Sequence, residues 1–176
     1  PQGILALVKQ YHYTLEEVAG GSRKSAQAED LQEKPALLMV LETIQDPGNL
    51  GTILRAGEGA GVTGIVMDAN TADIYNPKVI RSTMGSVLRM PFVYVENLHE
   101  TLEELKKKKI RLFAAHLQGK HAYDQEDYTG PAAFLIGNEG NGLTEETAAM
   151  ADTYIRIPME GRVESLNAAV AASVLM

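Results

Sequence analysis

The sequence predicts an α/β fold in which a mostly parallel sheet is flanked by helices. Two observations lead to this prediction. Short apolar runs without polar alternation, such as Ala36–Leu41 and Ala132–Ile136, are typical of strands that are buried on both faces of a parallel sheet. Segments with the apolar spacing of helices separate these runs, and strands that alternate with helices favour a parallel sheet.

The predicted elements follow one another along the chain. Gly3–Val8 could form a short strand, and the polar stretch Lys9–Pro35 is typical of a linker with one helical turn near Thr14–Val18. The later strands are predicted at Ala36–Leu41, Ile65–Met67, Phe92–Val95, Arg111–Ala115, Ala132–Ile136 and Tyr154–Ile157. Helices are predicted from Leu50 to Gly59–Gly61, over Pro77–Leu88, after Asn97 with Leu98, Leu102 and Leu105 facing inward, and from Ala168 onward.

The composition narrows the class of protein. With 176 residues and 45% hydrophobic content, the chain can form one compact domain. No apolar run approaches the roughly 20 residues that span a bilayer, so we expect a soluble, cytoplasmic protein. The chain has no cysteine and four scattered histidines, and we therefore expect no metal site. A net charge of −7 argues against a protein that coats nucleic acid with its whole surface.

One glycine-rich segment is misleading. Gly59–Gly64 matches the G-x-G-x-x-G pattern of dinucleotide-binding loops, but a predicted helix precedes it and a predicted strand follows it. Dinucleotide-binding loops have the reverse order, because the pyrophosphate lies at the N-terminus of the following helix. We therefore interpret Gly59–Gly61 as a helix stop with a tight turn, which argues against a nucleotide-dependent oxidoreductase.

The loop Gly137–Gly142 has the order that the first segment lacks, since a strand precedes it and Thr144 can cap a helix after it. Its three glycines allow the backbone to approach a ligand closely. Glu139, Glu145 and Glu146 disfavour a phosphate group, so the loop suits a neutral or cationic ligand. A wide turn followed by an acidic first helical turn would explain the same residues structurally.

Two further loops after predicted strands carry polar side chains. Asp46, Asn49 and Arg55 follow the first strand and can face a ligand that lies over the start of the next helix. The structural alternative is that Asn49 caps this helix and Arg55 lies on a solvated face. Ser165 and Asn167 follow the last strand and precede an apolar helix. Because ligands of parallel sheets bind at the carboxyl ends of the strands, these loops predict a ligand site.

Three blocks occur in a fixed order: Asp46–Gly51 with Arg55, then Leu135–Gly140 with Gly142 and Leu143, then Ile157–Met159 with Ser165–Asn167. Together they resemble the three sequence motifs of the SpoU (TrmH-type) family of RNA ribose 2′-O-methyltransferases, in the SPOUT superfamily. Each block alone is unspecific, whereas the ordered set is highly specific. The resemblance covers the chain from about residue 36 to its end.

The resemblance implies an α/β methyltransferase domain whose C-terminal part forms a deep trefoil knot, a rare exception to unknotted topology. It also implies a homodimer with the active site near the dimer interface, and S-adenosyl-L-methionine as the cofactor. An acidic, glycine-rich loop agrees with a cationic sulfonium ligand. The residues that the resemblance assigns to cofactor binding are His116, Leu117, Gln118, Gly119, Ile136, Gly137, Asn138, Ile157, Met159, Ser165 and Leu166.

The residues that match catalytic or near-catalytic positions of the family are Asn49, Arg55, Glu139, Ser165 and Asn167. The family assigns its arginine to activation of the ribose 2′-hydroxyl. Since arginine is almost never deprotonated in a protein, we expect Arg55 to stabilise the developing alkoxide and to bind an adjacent RNA phosphate. The residues do not decide which group accepts the proton of the 2′-hydroxyl: that phosphate, water or an unusual arginine. Asn49, Ser165 and Asn167 would orient Arg55 and the ribose, and Glu139 would hold Arg55 or the cationic end of the cofactor.

The function implied by the resemblance is S-adenosylmethionine-dependent methyl transfer to a ribose 2′-hydroxyl, with ribosomal RNA as the expected substrate and transfer RNA as the main alternative. A catalytically silent, knotted RNA-binding module is a second hypothesis, but all five polar positions are intact. Residues 1–35 would be the linker and tail of a separate N-terminal RNA-recognition domain, and residues 36–176 the catalytic domain of a longer protein. Lys78, Arg81 and Arg89 either contact RNA or are ordinary surface charges.

Overall fold

The structure, a computed structural model, describes residue 3, residues 7–20 and residues 35–176. Its strands are β1 (Leu37–Leu41), β2 (Gly64–Asp68), β3 (Phe92–Val95), β4 (Arg111–Ala115), β5 (His121–Ala122), β6 (Ala132–Ile136) and β7 (Thr153–Arg156). They form one sheet in the order β3-β2-β1-β6-β4-β7-β5, and every neighbouring pair is parallel. The carboxyl ends of all strands therefore lie at the same edge of the sheet.

The helices are α1 (Leu15–Ala19), α2 (Pro47–Ala60), α3 (Pro77–Ser82), α4 (Leu98–Lys107), α5 (Glu145–Ala149) and α6 (Ala168–Leu175). Each begins after a polar side chain that accepts a hydrogen bond from a backbone N–H of the first turn, which is the usual way of satisfying these donors. The six capping residues are Thr14, Asp46, Asn76, Asn97, Thr144 and Asn167. Local sequence thus fixes where each helix starts.

The core consists of two apolar layers, one on each face of the sheet. Alternate residues of β1 belong to different layers, as the period of a strand requires: Met39 and Leu41 pack in one layer and Leu38 and Val40 in the other. The first layer is completed by α2, α3 and α6, and the second by α1, α4 and α5. Both faces of the sheet are covered, which explains its continuous apolar strands.

The predicted α/β fold with a parallel sheet is confirmed. All six strands predicted from residue 36 onward are present, and their ends agree within one residue. The predicted strand Gly3–Val8 falls mostly outside the described residues, and Leu7 and Val8 lie exposed in irregular backbone. The trefoil knot stays a prediction.

The predicted helix Pro77–Leu88 is wrong in its second half. α3 ends at Ser82, and a separate 3₁₀ turn covers Ser86–Leu88. Met84 and Gly85 between them have φ angles of 50° and 92°, which a right-handed helix does not allow. The short strand β5 is absent from the prediction, because two residues that pair with β7 carry no periodic pattern.

The helical turn predicted near Thr14–Val18 is confirmed as α1, which packs against the start of β2. The side chain of Val18 is fully buried, and a Cβ atom at position 64 would lie 2.6 Å from its Cγ1 atom. Gly64 is therefore required for this close approach. The assignment of residues 1–35 to a separate domain's tail stays a prediction.

The interpretation of Gly59–Gly61 as a helix stop is confirmed. Gly61 has a φ angle of 90° and its N–H bonds back to the carbonyls of Gly57 and Glu58, which is a left-handed helix cap.

Within the described ranges, no helix has the length and apolar character needed to cross a membrane.

Candidate active site

A cavity of about 230 Å³ lies at the carboxyl ends of β4, β6 and β7, where the loops after these strands meet. Such strand ends are the usual ligand sites of parallel sheets. Apolar side chains and glycine backbone form most of its wall, and a few charged groups stand around it. The lining residues are Ala115, His116, Leu117, Ile136, Gly137, Asn138, Glu139, Gly140, Asn141, Gly142, Ile155, Arg156, Ile157, Met159, Glu164, Ser165, Leu166, Ala168 and Ala171.

Nine of the eleven residues that the resemblance assigns to the cofactor line this cavity, and Gln118 and Gly119 do not. Gly119 is buried against β7, where a Cβ atom would lie 2.7 Å from the carbonyl carbon of Ile155. Its N–H donates a hydrogen bond of 3.0 Å to the carbonyl oxygen of His116. Gly119 therefore shapes the turn that presents His116 and Leu117 to the cavity.

The segment 137–142, here called the glycine loop, forms one wall of the cavity. Asn138 and Gly142 exchange two backbone hydrogen bonds of 3.0 and 2.9 Å, which closes the loop into a tight turn. Gly137 lies so close to the end of this turn that a Cβ atom would be 2.0 Å from the carbonyl carbon of Gly142. Gly142 has a φ angle of 72°, which favours glycine. Two of the three glycines are thus fixed by backbone geometry.

A polar network joins the three motif blocks beside the cavity. The Glu139 carboxylate accepts a hydrogen bond of 3.1 Å from the side-chain amide of Asn49. The Oδ1 atom of Asn49 in turn accepts one of 2.9 Å from the Nδ2 atom of Asn167. Asn167 also caps α6 through its Oδ1 atom. Three of the five residues predicted to be catalytic are therefore in direct contact.

Hydrogen bonds around Glu139 favour the ionised form of its carboxyl group. Its carboxylate also accepts hydrogen bonds from the backbone N–H groups of Asp46 (2.9 Å) and Gln45 (3.1 Å). Partial burial alone would raise the pKa of Glu139, but the Asp46 N–H, the Asn49 amide and the Gln45 N–H together lower it below its ordinary value. A carboxylate held in this way is an acceptor of hydrogen bonds and a poor proton carrier near neutral pH.

The cap of α2 is Asp46, which corrects the structural alternative given for Asn49. The Asp46 side chain accepts a hydrogen bond from the Asn49 N–H, with Pro47 as the first helical residue. This hydrogen bond holds the pKa of Asp46 below its ordinary value, with help from the ammonium group of Lys78. The Asn49 side chain is consequently free of capping and bonds to Glu139 and Asn167.

Arg55 and Ser165 are the predicted catalytic residues that the network does not include. Arg55 is exposed on α2 and has neither a hydrogen bond nor an ion pair with any residue of the described ranges. The structure therefore pairs Glu139 with Asn49 and not with Arg55. Ser165 is exposed and lines the cavity.

The three candidate RNA-binding cations differ in their surroundings. Lys78 lies 3.3 Å from a carboxylate oxygen of Asp46, and Arg89 forms a two-pronged ion pair with Glu58. Arg81 is exposed, in the last turn of α3, without an ion pair to any described residue. Of the three, Arg81 is the one whose charge is not already neutralised by a carboxylate.

Several lining residues were not singled out by the sequence. Arg156 ends β7 and Glu164 lies in the loop after it, so both bring charge to the cavity wall. Their position after a strand end was the available signal, but nothing distinguishes them from other charges in that segment. Gly140, Asn141 and Gly142, which belong to the loop predicted to suit a ligand, also line the cavity. Among the described residues, no group of three or more His, Cys, Asp or Glu side chains could hold a metal ion.

Comparison with known sequences identifies related proteins. The 23S rRNA (guanosine(2553)-2′-O)-methyltransferase RlmP of Bacillus subtilis is 35% identical over 139 residues, which cover 79% of this chain and 56% of that protein. The 23S rRNA (guanosine-2′-O-)-methyltransferase RlmB of Bordetella pertussis is 37% identical over 147 residues, which cover 84% and 60% of the two. The chain thus spans little more than half the length of these relatives.

Solved structures with the same fold include the AdoMet-bound rRNA methyltransferase from Sinorhizobium meliloti. It superimposes with a TM-score of 0.80 at 31% identity, over 95% of this chain and 59% of that one. The AdoMet complex of the SpoU methyltransferase AviRb from Streptomyces viridochromogenes gives a TM-score of 0.76 at 32% identity, over 84% and 59%. The sequence profile of the SpoU rRNA Methylase family matches residues 36–176. The chain belongs to the SpoU rRNA methylase family.

Proposed function

We propose that this chain is the catalytic part of an RNA methyltransferase that transfers a methyl group from S-adenosylmethionine to a ribose 2′-hydroxyl. The observation that carries the proposal is the Glu139–Asn49–Asn167 network, which brings the three family motifs together beside one cavity. Curated relatives at 35–37% identity are named as 2′-O-methyltransferases, which supports the same reaction here.

The residues of the cavity fit the proposed cofactor. Ile136, Ile157 and Leu166 offer apolar surface for an adenine ring, and the backbone of the glycine loop is accessible for hydrogen bonds because half of its residues are glycines. The two carboxylates of Glu139 and Glu164 at the wall outnumber the single guanidinium of Arg156, which favours a cation over a polyphosphate. When bound, S-adenosylmethionine supplies an electrophilic methyl group. Two solved neighbours contain AdoMet, which supports this choice.

The polar residues have separable tasks in this proposal. Arg55 carries a permanent charge and an unoccupied guanidinium, which suits it to stabilise the developing ribose alkoxide and to bind a neighbouring phosphate. Asn49 and Asn167 are held by the network and would position the ribose together with Ser165. The ribose oxygen gains the methyl group and loses its proton to an acceptor from the RNA or water. Glu139 orients Asn49 rather than accepting that proton, because its carboxylate is already occupied by donors.

We further propose ribosomal RNA as the substrate, with transfer RNA as the alternative, and action in the cytoplasm as a homodimer. The names of RlmP and RlmB support ribosomal RNA. The exposed Val170 and Val174 on α6 provide apolar surface that a second copy of the chain could cover. Residues 36–176 would form the catalytic domain and residues 1–35 would lead into it from a separate RNA-recognition domain.

Methyl transfer to RNA transcripts made in vitro tests the proposal. Unmodified 23S rRNA and transfer RNA are incubated with the protein and labelled S-adenosylmethionine, and 2′-O-methyl sites are mapped by their resistance to alkaline hydrolysis. We expect Arg55→Ala to lose methyl transfer by at least about a hundredfold, the usual effect of removing an oxyanion stabiliser, and to bind the cofactor nearly as the wild type does. Lys107→Ala, an exposed change on α4, serves as the control. Full activity of Arg55→Ala, or methylation of a base instead of the ribose, would contradict the proposal.

A further inference from the structure

A buried glutamate that has no role in the proposed chemistry lies directly after β1. Glu42 is only 8% exposed. Its carboxylate accepts hydrogen bonds from the N–H and the hydroxyl of Thr144, both at 2.8 Å, and from the hydroxyl of Thr147 at 2.5 Å. All three donors belong to the start of α5, which follows the glycine loop. Glu42 therefore binds a segment about 100 residues away in sequence, two residues after the last residue of the glycine loop.

Glu139 makes the same kind of contact in the opposite direction. It extends from the glycine loop and accepts hydrogen bonds from the segment 42–46, here called the β1 loop. Glu139 thus links the glycine loop to the β1 loop, and Glu42 links the β1 loop to the start of α5, two residues after the glycine loop. We propose that Glu42 is a positioning residue, which fixes the glycine loop against the β1 loop in the conformation that binds S-adenosylmethionine. This inference rests on the proposed function.

The Glu42 carboxyl group belongs to a compact polar cluster. Besides its contact with Glu42, the Thr147 hydroxyl lies 2.9 Å from the Thr144 hydroxyl and 3.1 Å from the Nε2 atom of His99. Thr144 gives its N–H to the second carboxylate oxygen. The two hydroxyls face the other oxygen, so an amide at position 42 would lose the charge-assisted part of these hydrogen bonds.

A third link between the loops lies between the two carboxylates. The Thr43 carbonyl oxygen accepts a hydrogen bond of 2.9 Å from the Asn138 side chain. Thr43 has a φ angle of 57°, an unfavourable conformation for a residue other than glycine. Asp68 stabilises this conformation by accepting hydrogen bonds from the Thr43 N–H (2.8 Å) and hydroxyl (2.7 Å). The strained backbone presents its carbonyl oxygen to the glycine loop, as expected when surrounding contacts overdetermine a position.

The glycine loop has few other constraints on its position. Its internal hydrogen bonds are the bridge between Asn138 and Gly142 and two from the N–H groups of Gly140 and Asn141 to the Asn138 Oδ1 atom. The helix α5, which follows, has five residues. Short elements with few internal hydrogen bonds depend on tertiary contacts for their order. Loss of the Glu42 contacts should therefore release the cavity wall while Glu139 still holds Asn49. The affinity for the cofactor should fall more than the turnover rate.

The experiment compares the wild type with Glu42→Gln and Thr147→Val. Both changes nearly preserve side-chain volume and remove acceptor or donor capacity from the cluster. We expect the KM and Kd for S-adenosylmethionine to rise about tenfold or more in Glu42→Gln, which corresponds to the loss of one charge-assisted hydrogen bond, and by a smaller factor in Thr147→Val. The kcat should stay within about threefold, since the transition-state contacts remain. Hydrogen–deuterium exchange of peptides covering residues 137–147 should become faster in both variants.

The control is Ile110→Ala, a buried change at the amino end of β4, away from the cavity. It should destabilise the protein without changing the KM or the exchange of residues 137–147. Equal effects of Ile110→Ala and Glu42→Gln on KM and on local exchange would overturn the positioning role, and so would unchanged exchange and affinity in both cluster variants. Failure of the wild type to bind S-adenosylmethionine would instead overturn the proposed function. In that case, unchanged exchange in the cluster variants would separately overturn the role of Glu42 as a loop clamp.

Discussion

Replacement of Glu139 by glutamine should weaken the fold in a pH-dependent way. Three donors lie within 3.1 Å of its carboxylate, and a hydrogen bond to a charged group contributes roughly 1.5–3 kcal/mol when water is excluded. Because Glu139 is exposed, solvent screens much of this contribution. We therefore expect Glu139→Gln to lower the free energy of unfolding by about 1–2 kcal/mol at pH 7.

The sign of the pH dependence follows from the lowered pKa of Glu139. A carboxylate whose folded-state pKa lies below its unfolded-state value stabilises the protein above the unfolded-state value, and this contribution is lost as the pH falls through the folded-state pKa. The difference between wild type and Glu139→Gln should thus be constant above the ordinary value of 4.5 and shrink below it. Urea unfolding at a series of pH values measures it. Glu103→Gln, an exposed change on α4, is the control, and a difference that persists unchanged at pH 3 would refute the reasoning.

Three further predictions concern backbone geometry, capping and the N-terminal segment. Gly137→Ala should destabilise the protein by about 1–3 kcal/mol and abolish cofactor binding, since its Cβ atom would lie 2.0 Å from the last glycine of the loop. Gly140→Ala, whose added Cβ atom would lie 3.5 Å from its nearest neighbour, should be tolerated, and calorimetric titration with S-adenosylmethionine compares the two variants. Asp46→Ala should cost about 1 kcal/mol through the lost α2 cap, whereas Asp46→Asn should retain most of the stability in urea unfolding. Tyr75→Phe removes a hydroxyl that bonds both the N–H and the carbonyl of Tyr11, so limited proteolysis should cut residues 7–14 faster, and an unchanged rate would contradict this anchoring.

The elements of the fold follow from local patterns, whereas the partners within the site do not. Each helix start has a capping side chain within the same few residues, so the sequence identifies it. At α2, Asp46 and Asn49 are both good caps, and Pro47 at the first helical position was the signal that favours Asp46. The sequence could therefore have excluded Asn49 as the cap and left its side chain available for the site.

The contacts of Asn49 depend on tertiary structure. Its partners Glu139 and Asn167 lie 90 and 118 residues away, and no local pattern encodes which of several loop side chains will meet. Arg156 and Glu164 were missed for the same reason. Of the two residues whose positive φ angles end the helix after Ser82, only Gly85 could be recognised in the sequence. Met84 also has a positive φ angle, but methionine does not indicate such a conformation.

The parallel sheet has a practical consequence for single-molecule and surface-based measurements. The cavity lies at one pole of the sheet, and the exposed Ala60 at the end of α2 lies near the opposite pole, where β2 begins. The chain contains no cysteine, so a single thiol introduced there would be chemically unique. A fluorophore or a tether attached at that pole would leave the loops of the cavity accessible to ligands in solution.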